Sequence, residues 1–196
     1  AEEKVPEPMD AEEKNVKHQN AEDPIKEETK KSPGTTFKPG IFKSPTKELL
    51  EEVHKKLNIR RILWDSIPNF QKDGIDMDNH VPKRLIKIDG DGNCCFRALS
   101  YCITGSERNH PIFRRALIEY KDGRDPSFEI DDIKEEKGYG STVDLYRFGE
   151  MFQCRVFVWI DIKGEKPQYG RFFDEDTVKF DIVIHYKNEH FSVVDL

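Results

Sequence analysis

Apolar positions along this chain follow two periods, and the change from one to the other predicts the architecture. Ser44-Pro45-Thr46 is a good helix start with proline in the first turn. After it, Leu49, Leu50, Val53 and Leu57 recur at helical spacing. The stretch from Asp73 to Pro82 is polar and turn-rich, and Arg84 to Ile88 leads into a glycine-rich loop. A helix then carries Cys95, Ala98, Leu99 and Cys102 at i, i+3, i+4 and i+7, one apolar face. Another helix is predicted between Pro111 and Tyr120, with Phe113, Ala116, Leu117 and Tyr120 on one side. From Gly123 to Gly140 the chain is acidic and broken by glycine and proline, and reads mainly as loop. Ser141 with Asp144 three residues on resembles a capping box. It would open a helix in which Leu145, Phe148, Met151 and Phe152 face inward.

Beyond that helix the pattern becomes strand-like. Arg155–Asp161, Gly170–Phe173, Lys179–Tyr186 and His190–Val194 are rich in Val, Ile, Phe and Tyr,. The last two are separated by Lys187-Asn188-Glu189, short enough for a hairpin. Helices first and strands later predict an α+β domain, a small, mostly antiparallel sheet flanked by helices.

Composition sets the limits of that domain. Residues 1–43 are rich in Glu, Lys and Pro and nearly free of aromatics. Such a segment buries too little apolar area to offset the entropy of ordering, and reads as a disordered charged tail. The domain is expected over 44–196. The 196-residue chain carries a net charge of −6 and a mean hydropathy of −0.77. The hydropathy implies that part of the chain buries little, and the negative charge does not suit a nucleic-acid partner, which requires a basic patch. No apolar run is long enough to span a bilayer, and none near Ala1 looks like a signal peptide. Ala1 at the start suggests a fragment or a processed form. A monomer in the cytoplasm or nucleus, with reduced thiols, is expected.

Four cysteines, Cys94, Cys95, Cys102 and Cys154, form no C-x-x-C pair and no zinc spacing,. Asp89-x-Asp91-x-Asn93 mimics the start of a calcium loop. Cys94 and Ser100 stand where that loop needs glycine and glutamate, so no metal is expected. Helical phase assigns Cys95 to the core and leaves Cys94 in the first turn. Unpaired N–H groups and the positive end of the helix dipole collect there, which favours a thiolate. A cysteine nucleophile needs a base, usually histidine. Of six histidines, only His185 and His190 lie in the C-terminal hairpin. His190, directly after the turn, is favoured because sites gather at strand mouths and turns. Trp64 and Trp159 read as core or partly buried aromatics.

Asp91-Gly92-Asn93-Cys94 followed by Cys95-Phe96-Arg97-Ala98, with Glu189-His190-Phe191-Ser192-Val193-Val194 near the C-terminus, resembles the ovarian tumour (OTU) family of cysteine proteases. The segment from Gly138-Tyr139-Gly140 through Met151-Phe152-Gln153-Cys154 to Arg155-Val156-Phe157-Val158 is similar to that family's middle part. Members often have Trp-Gly at Tyr139-Gly140. The resemblance covers roughly Leu85 to Leu196. It implies a thiol protease, a deubiquitinase that hydrolyses isopeptide bonds at the C-terminal glycine of ubiquitin through a thioester, with no cofactor. Cys94 would be the nucleophile, His190 the base and Asp91 the aspartate of the family motif. Backbone N–H groups from Asp91, Gly92, Asn93 and Cys94 would form the oxyanion hole. Many relatives carry Asp or Asn two residues after the histidine, and Ser192 stands there. The ring's orienting partner is therefore Ser192, Asp91 or a backbone carbonyl. A weak or inactive ubiquitin-binding scaffold and a protease for a ubiquitin-like modifier are the alternatives. The acidic segment from Glu129 to Glu136 reads as a solvated loop, the alternative being a complement to basic residues near the ubiquitin tail.

Overall fold

A computed structural model describes residues 40–120 and 138–196. Helix α1 spans Lys47–Lys56, α2 Cys94–Thr104, α3 His110–Glu119 and α4 Thr142–Phe152. The strands are β1 (Arg84–Ile86), β2 (Cys154–Ile160), β3 (Gln168–Phe172), β4 (Phe180–Lys187) and β5 (His190–Asp195). They form one sheet in the order β1-β5-β4-β2-β3. Only the β2–β4 pairing is parallel. The fold is α+β.

Local side-chain hydrogen bonds start two of the helices, α1 and α4. Thr46 caps α1 by accepting the Leu49 N–H at 3.3 Å, so Pro45 sits before the cap and not in the first turn. The capping box at α4 is formed: the Asp144 carboxylate accepts from the Ser141 N–H at 2.7 Å and its hydroxyl at 2.9 Å,. Helix α2 differs from its sequence pattern. Phe96, Ser100 and Thr104 are buried as completely as Ala98 and Leu99. It is the central helix, enclosed by the sheet, α1 and α3, and a single apolar stripe underestimates its burial.

Side chains alternate across the sheet. Val156, Ile182, Ile184 and Val193 join Leu50, Leu99, Leu117 and Phe148 in the main core. Phe157, Val183 and Val194 point the other way and are covered by Phe42 and Met77. The four described helices therefore share one face, and irregular chain around Phe42 and Met77 covers the second. That second layer moves the expected domain start. Phe42 is 1% exposed and its N–H donates to Ile75 O at 2.8 Å, so ordered packing precedes Ser44. The rest of the expected tail, the Glu129–Glu136 segment and most of the expected loop before Gly140 lie outside the described residues.

A buried ion pair fastens this layer to the sheet. Arg155 on β2 donates from Nε and from one terminal nitrogen to the two Asp181 oxygens on β4, each at 2.9 Å. It also donates to Ile41 O at 3.0 Å, while Asp181 accepts the Lys43 N–H at 2.7 Å. The Asp181 side chain has no solvent exposure. Arg155→Met leaves that carboxylate without its cation and should cost ~3–5 kcal/mol, read from urea unfolding. A loss below about 1 kcal/mol would mean the pair is incidental.

Candidate active site

The antiparallel pairing Ile86↔Val193 sends the chain after β1 alongside β5 towards its beginning. It reaches Gly90 beside His190: a Cβ on Gly90 would lie 3.6 Å from the imidazole Cε1 and 3.7 Å from Nδ1. Four residues on, Cys94 opens α2. His190 enters β5 from a two-residue turn, Asn188-Glu189, both with positive φ (52° and 60°). This is a tight hairpin turn of the kind that matches strand twist, one residue shorter than the sequence suggests. Glu189 adopts a conformation that costs a non-glycine residue about 1 kcal/mol.

The Asp91–Cys94 loop is held by side chains at each step. Arg97 grips Asp91 through two hydrogen bonds, at 3.0 and 2.6 Å. Asp91 also accepts the Asn93 N–H at 3.0 Å, across Gly92 at φ +85°. Such a φ favours glycine. Glu107 accepts the Asp89 N–H at 3.2 Å. Arg97 foremost, with the Asn93 amides, holds the Asp91 carboxyl well below the usual range. The Asp91 side chain thus shapes the loop and makes no hydrogen bond to His190.

Asn93 occupies the cap position of α2, but its side chain does not cap. Its Oδ1 accepts from buried Arg114 of α3 at 2.8 Å, and the same guanidinium nitrogen donates to Gly138 O at 2.8 Å. The Arg114 guanidinium lies 4.2 Å over the Phe96 ring. The first turn of α2 is left without a side-chain acceptor. Among the described residues, the N–H groups of Gly92 and Cys94 have no hydrogen-bond partner. The Asn93 N–H is engaged by Asp91, so only part of the expected donor set is open to a substrate oxygen.

Cys94 lies in a groove of about 350 Å³ lined also by Tyr139, Gly140, Tyr186, Glu189 and Phe191. It is 4% exposed, more recessed than the sequence suggests. His190 sits beside the groove and is not part of its lining. Gly140 allows one wall to close on α2: a Cβ there would fall 2.6 Å from Cys95 Cβ and 2.8 Å from Cys95 Sγ. Burial pushes the other three thiols up, Cys102 to about 12 and Cys95 and Cys154 well above the ordinary value. These three stay protonated at neutral pH. All four cysteines are free.

The remaining histidines are placed elsewhere or engaged. His54 is buried, with Nε2 2.8 Å from Ile103 O. His110 Nδ1 lies 3.0 Å from Glu107 O. His80 Nδ1 lies 3.4 Å from the Tyr169 hydroxyl. His185 pairs across β4–β5 with Ser192, and burial lowers its pKa. His18 lies outside the described residues. Ser192, two residues after His190, shares its face of β5. Among the described residues, no hydrogen bond joins Ser192 or any other side chain to the His190 ring. No group of three His, Cys, Asp or Glu able to hold a metal occurs among them either, and no helix among them is long and apolar enough to cross a membrane.

No protein-family model and no curated protein matches the sequence. Solved structures do. The viral OTU domain protease of Dera Ghazi Khan virus superposes with a TM-score of 0.50 at 14% identity, over 58% of this chain and 80% of that one. The chain has the OTU fold. Two further OTU structures are similar at lower scores. The Farallon virus OTU domain protease gives a TM-score of 0.47 at 19% identity, covering 57% of this chain and 82% of that one. The OTU domain of OTUD1 gives 0.46 at 20% identity, covering 56% and 83%. On this fold, Arg114 is the site residue that sequence periodicity misses. It lies beside the expected apolar face of α3, and only its burial gives it away.

The Asp91 interactions have a pH signature. Its folded pKa is depressed, so its stabilisation is fully present above the ordinary Asp value near 4. It declines only as the pH falls from there through the folded value. Asp91→Asn should therefore lower the urea midpoint at pH 7, and the gap should narrow below about pH 4. A gap that widens on acidification would contradict this. Gly140→Ala forces the Tyr139–Gly140 wall off Cys95 and should cost ~1–3 kcal/mol by the same measurement. An unchanged midpoint would show that the wall yields freely.

Proposed function

We propose that this OTU domain is a cysteine-type deubiquitinase, hydrolysing isopeptide bonds at the C-terminal glycine of ubiquitin. The observation that carries the reading is the position of Cys94. It opens a helix whose first turn lacks a side-chain cap, on a loop that packs against His190 and beside a groove. Ubiquitin as substrate rests on the resemblance of the Asp91–Ala98 and Glu189–Val194 motifs to the OTU family. A ubiquitin-like modifier would use the same chemistry.

In this mechanism the Cys94 thiolate attacks the glycine carbonyl, forming an Sγ–C bond. The oxygen gains negative charge and turns towards the N–H groups of Gly92 and Cys94 at the positive end of α2. The C–N bond breaks as the His190 imidazolium gives its proton to the leaving lysine amine. Water then attacks the thioester, the neutral imidazole takes its proton, and the C–S bond breaks. This releases the glycine carboxylate and restores the thiolate. Hydrogen bonds between such groups often tighten only once substrate binds.

A second reading, a non-catalytic ubiquitin-binding module, is favoured by one feature, the His190 ring without a hydrogen-bonding side chain among the described residues. A ubiquitin probe with a C-terminal electrophile separates the two. Covalent labelling of the wild type that is lost in Cys94→Ala and strongly reduced in His190→Ala is expected. An unlabelled wild type that still binds ubiquitin would establish the module instead.

A further inference from the structure

We propose that Arg114 is a positioning residue that holds the Asn93 side chain away from the N-terminus of α2, keeping the space beside Cys94 open for the substrate oxygen. This inference rests on the deubiquitinase reading. Asparagine directly before a helix normally folds its side-chain oxygen over the first turn and accepts from the second or third N–H, here those of Cys95 and Phe96. In this chain the oxygen instead meets the Arg114 guanidinium, and α2 begins uncapped. The identity of that amide atom follows from the partner, because arginine only donates. Arg114 is 8% exposed, so it is anchored from several directions. Its stem leaves α3, its plane covers Phe96, and it also donates to Gly138 O.

The second donation matters because Gly138 leads directly into Tyr139 and Gly140, one wall of the Cys94 groove. One side chain thus ties the nucleophile loop to the wall that faces it. Without Arg114, the Asn93 oxygen is released beside the open N–H groups of α2 and competes with the substrate for that space. The cost should fall on turnover and leave modifier binding nearly unchanged, since Arg114 is buried behind the groove.

The test combines kinetics with amide hydrogen exchange on Arg114→Met, Asn93→Ala and the double variant. Methionine keeps the apolar contact with Phe96 and removes the donors. In Arg114→Met, kcat on a fluorogenic ubiquitin C-terminal amide should fall about 10- to 100-fold, with KM within about twofold. Exchange of the Cys95 or Phe96 amide should slow as Asn93 caps the helix. Adding Asn93→Ala removes the intruding cap, so the double variant should be no slower than Arg114→Met and should lose the extra protection. Losses that add, a KM that rises with kcat intact, or exchange rates unchanged in Arg114→Met would each overturn the proposal. Exchange needs no ubiquitin. A wild type inert towards ubiquitin would therefore sink the functional reading while exchange still judges Arg114. If Arg114→Met fails to fold, Arg114→Lys is read by the same exchange criterion, because a single ammonium cannot reproduce the planar fork.

Discussion

The Asn93 side chain stands at the cap position of α2, yet its oxygen accepts from the guanidinium of Arg114 on α3. A cap would satisfy the helix locally and contribute about 1 kcal/mol. The fold takes the other option. The donors at the start of α2 stay open, and α3 is linked through Asn93 to the helix that carries Cys94. The same guanidinium reaches Gly138, so the groove wall depends on this contact as well. In the proposed mechanism the site binds a developing negative charge, which requires donors that are not already filled, and the residues around Cys94 meet that constraint.

The loop feeding α2 is held on its other side by charge. Asp91, Arg97 and Glu107 form a chain of carboxylates and guanidinium that fixes the backbone from Asp89 to Asn93. These groups are partly exposed, and their value is geometric: each engages a backbone N–H or a side chain that does. His190 is placed differently. It is delivered by a tight turn and lies beside Gly90, and no side chain among the described residues hydrogen-bonds its ring.

Periodicity, a local signal, located the four described helices and strands β2 to β5 to within a few positions; β1, three residues long, carries no such pattern. The Ser141–Asp144 capping box was legible for the same reason: both of its hydrogen bonds are local. What escaped was non-local. Nothing in the pattern around Phe42 or Met77 says that two irregular segments would close the far side of the sheet. Arg155 and Asp181, isolated charges in apolar strands, are buried because they pair with each other. At the site, Cys94 and the hairpin histidines could be read from spacing, whereas Arg114 could not. Its function depends on Asn93 and Gly138, on opposite sides of it in sequence and joined only by the fold.

The central claim is that the N-terminus of α2 is held open for an oxyanion, and a crystal structure with a ubiquitin C-terminal glycinal tests it most directly. The aldehyde should form a hemithioacetal with Cys94 Sγ. Its oxygen should lie about 2.7–3.1 Å from the nitrogens of Gly92 and Cys94, with Asn93 Oδ1 still on Arg114. An adduct whose oxygen points away from α2, or an Asn93 side chain folded over the helix start, would contradict the account.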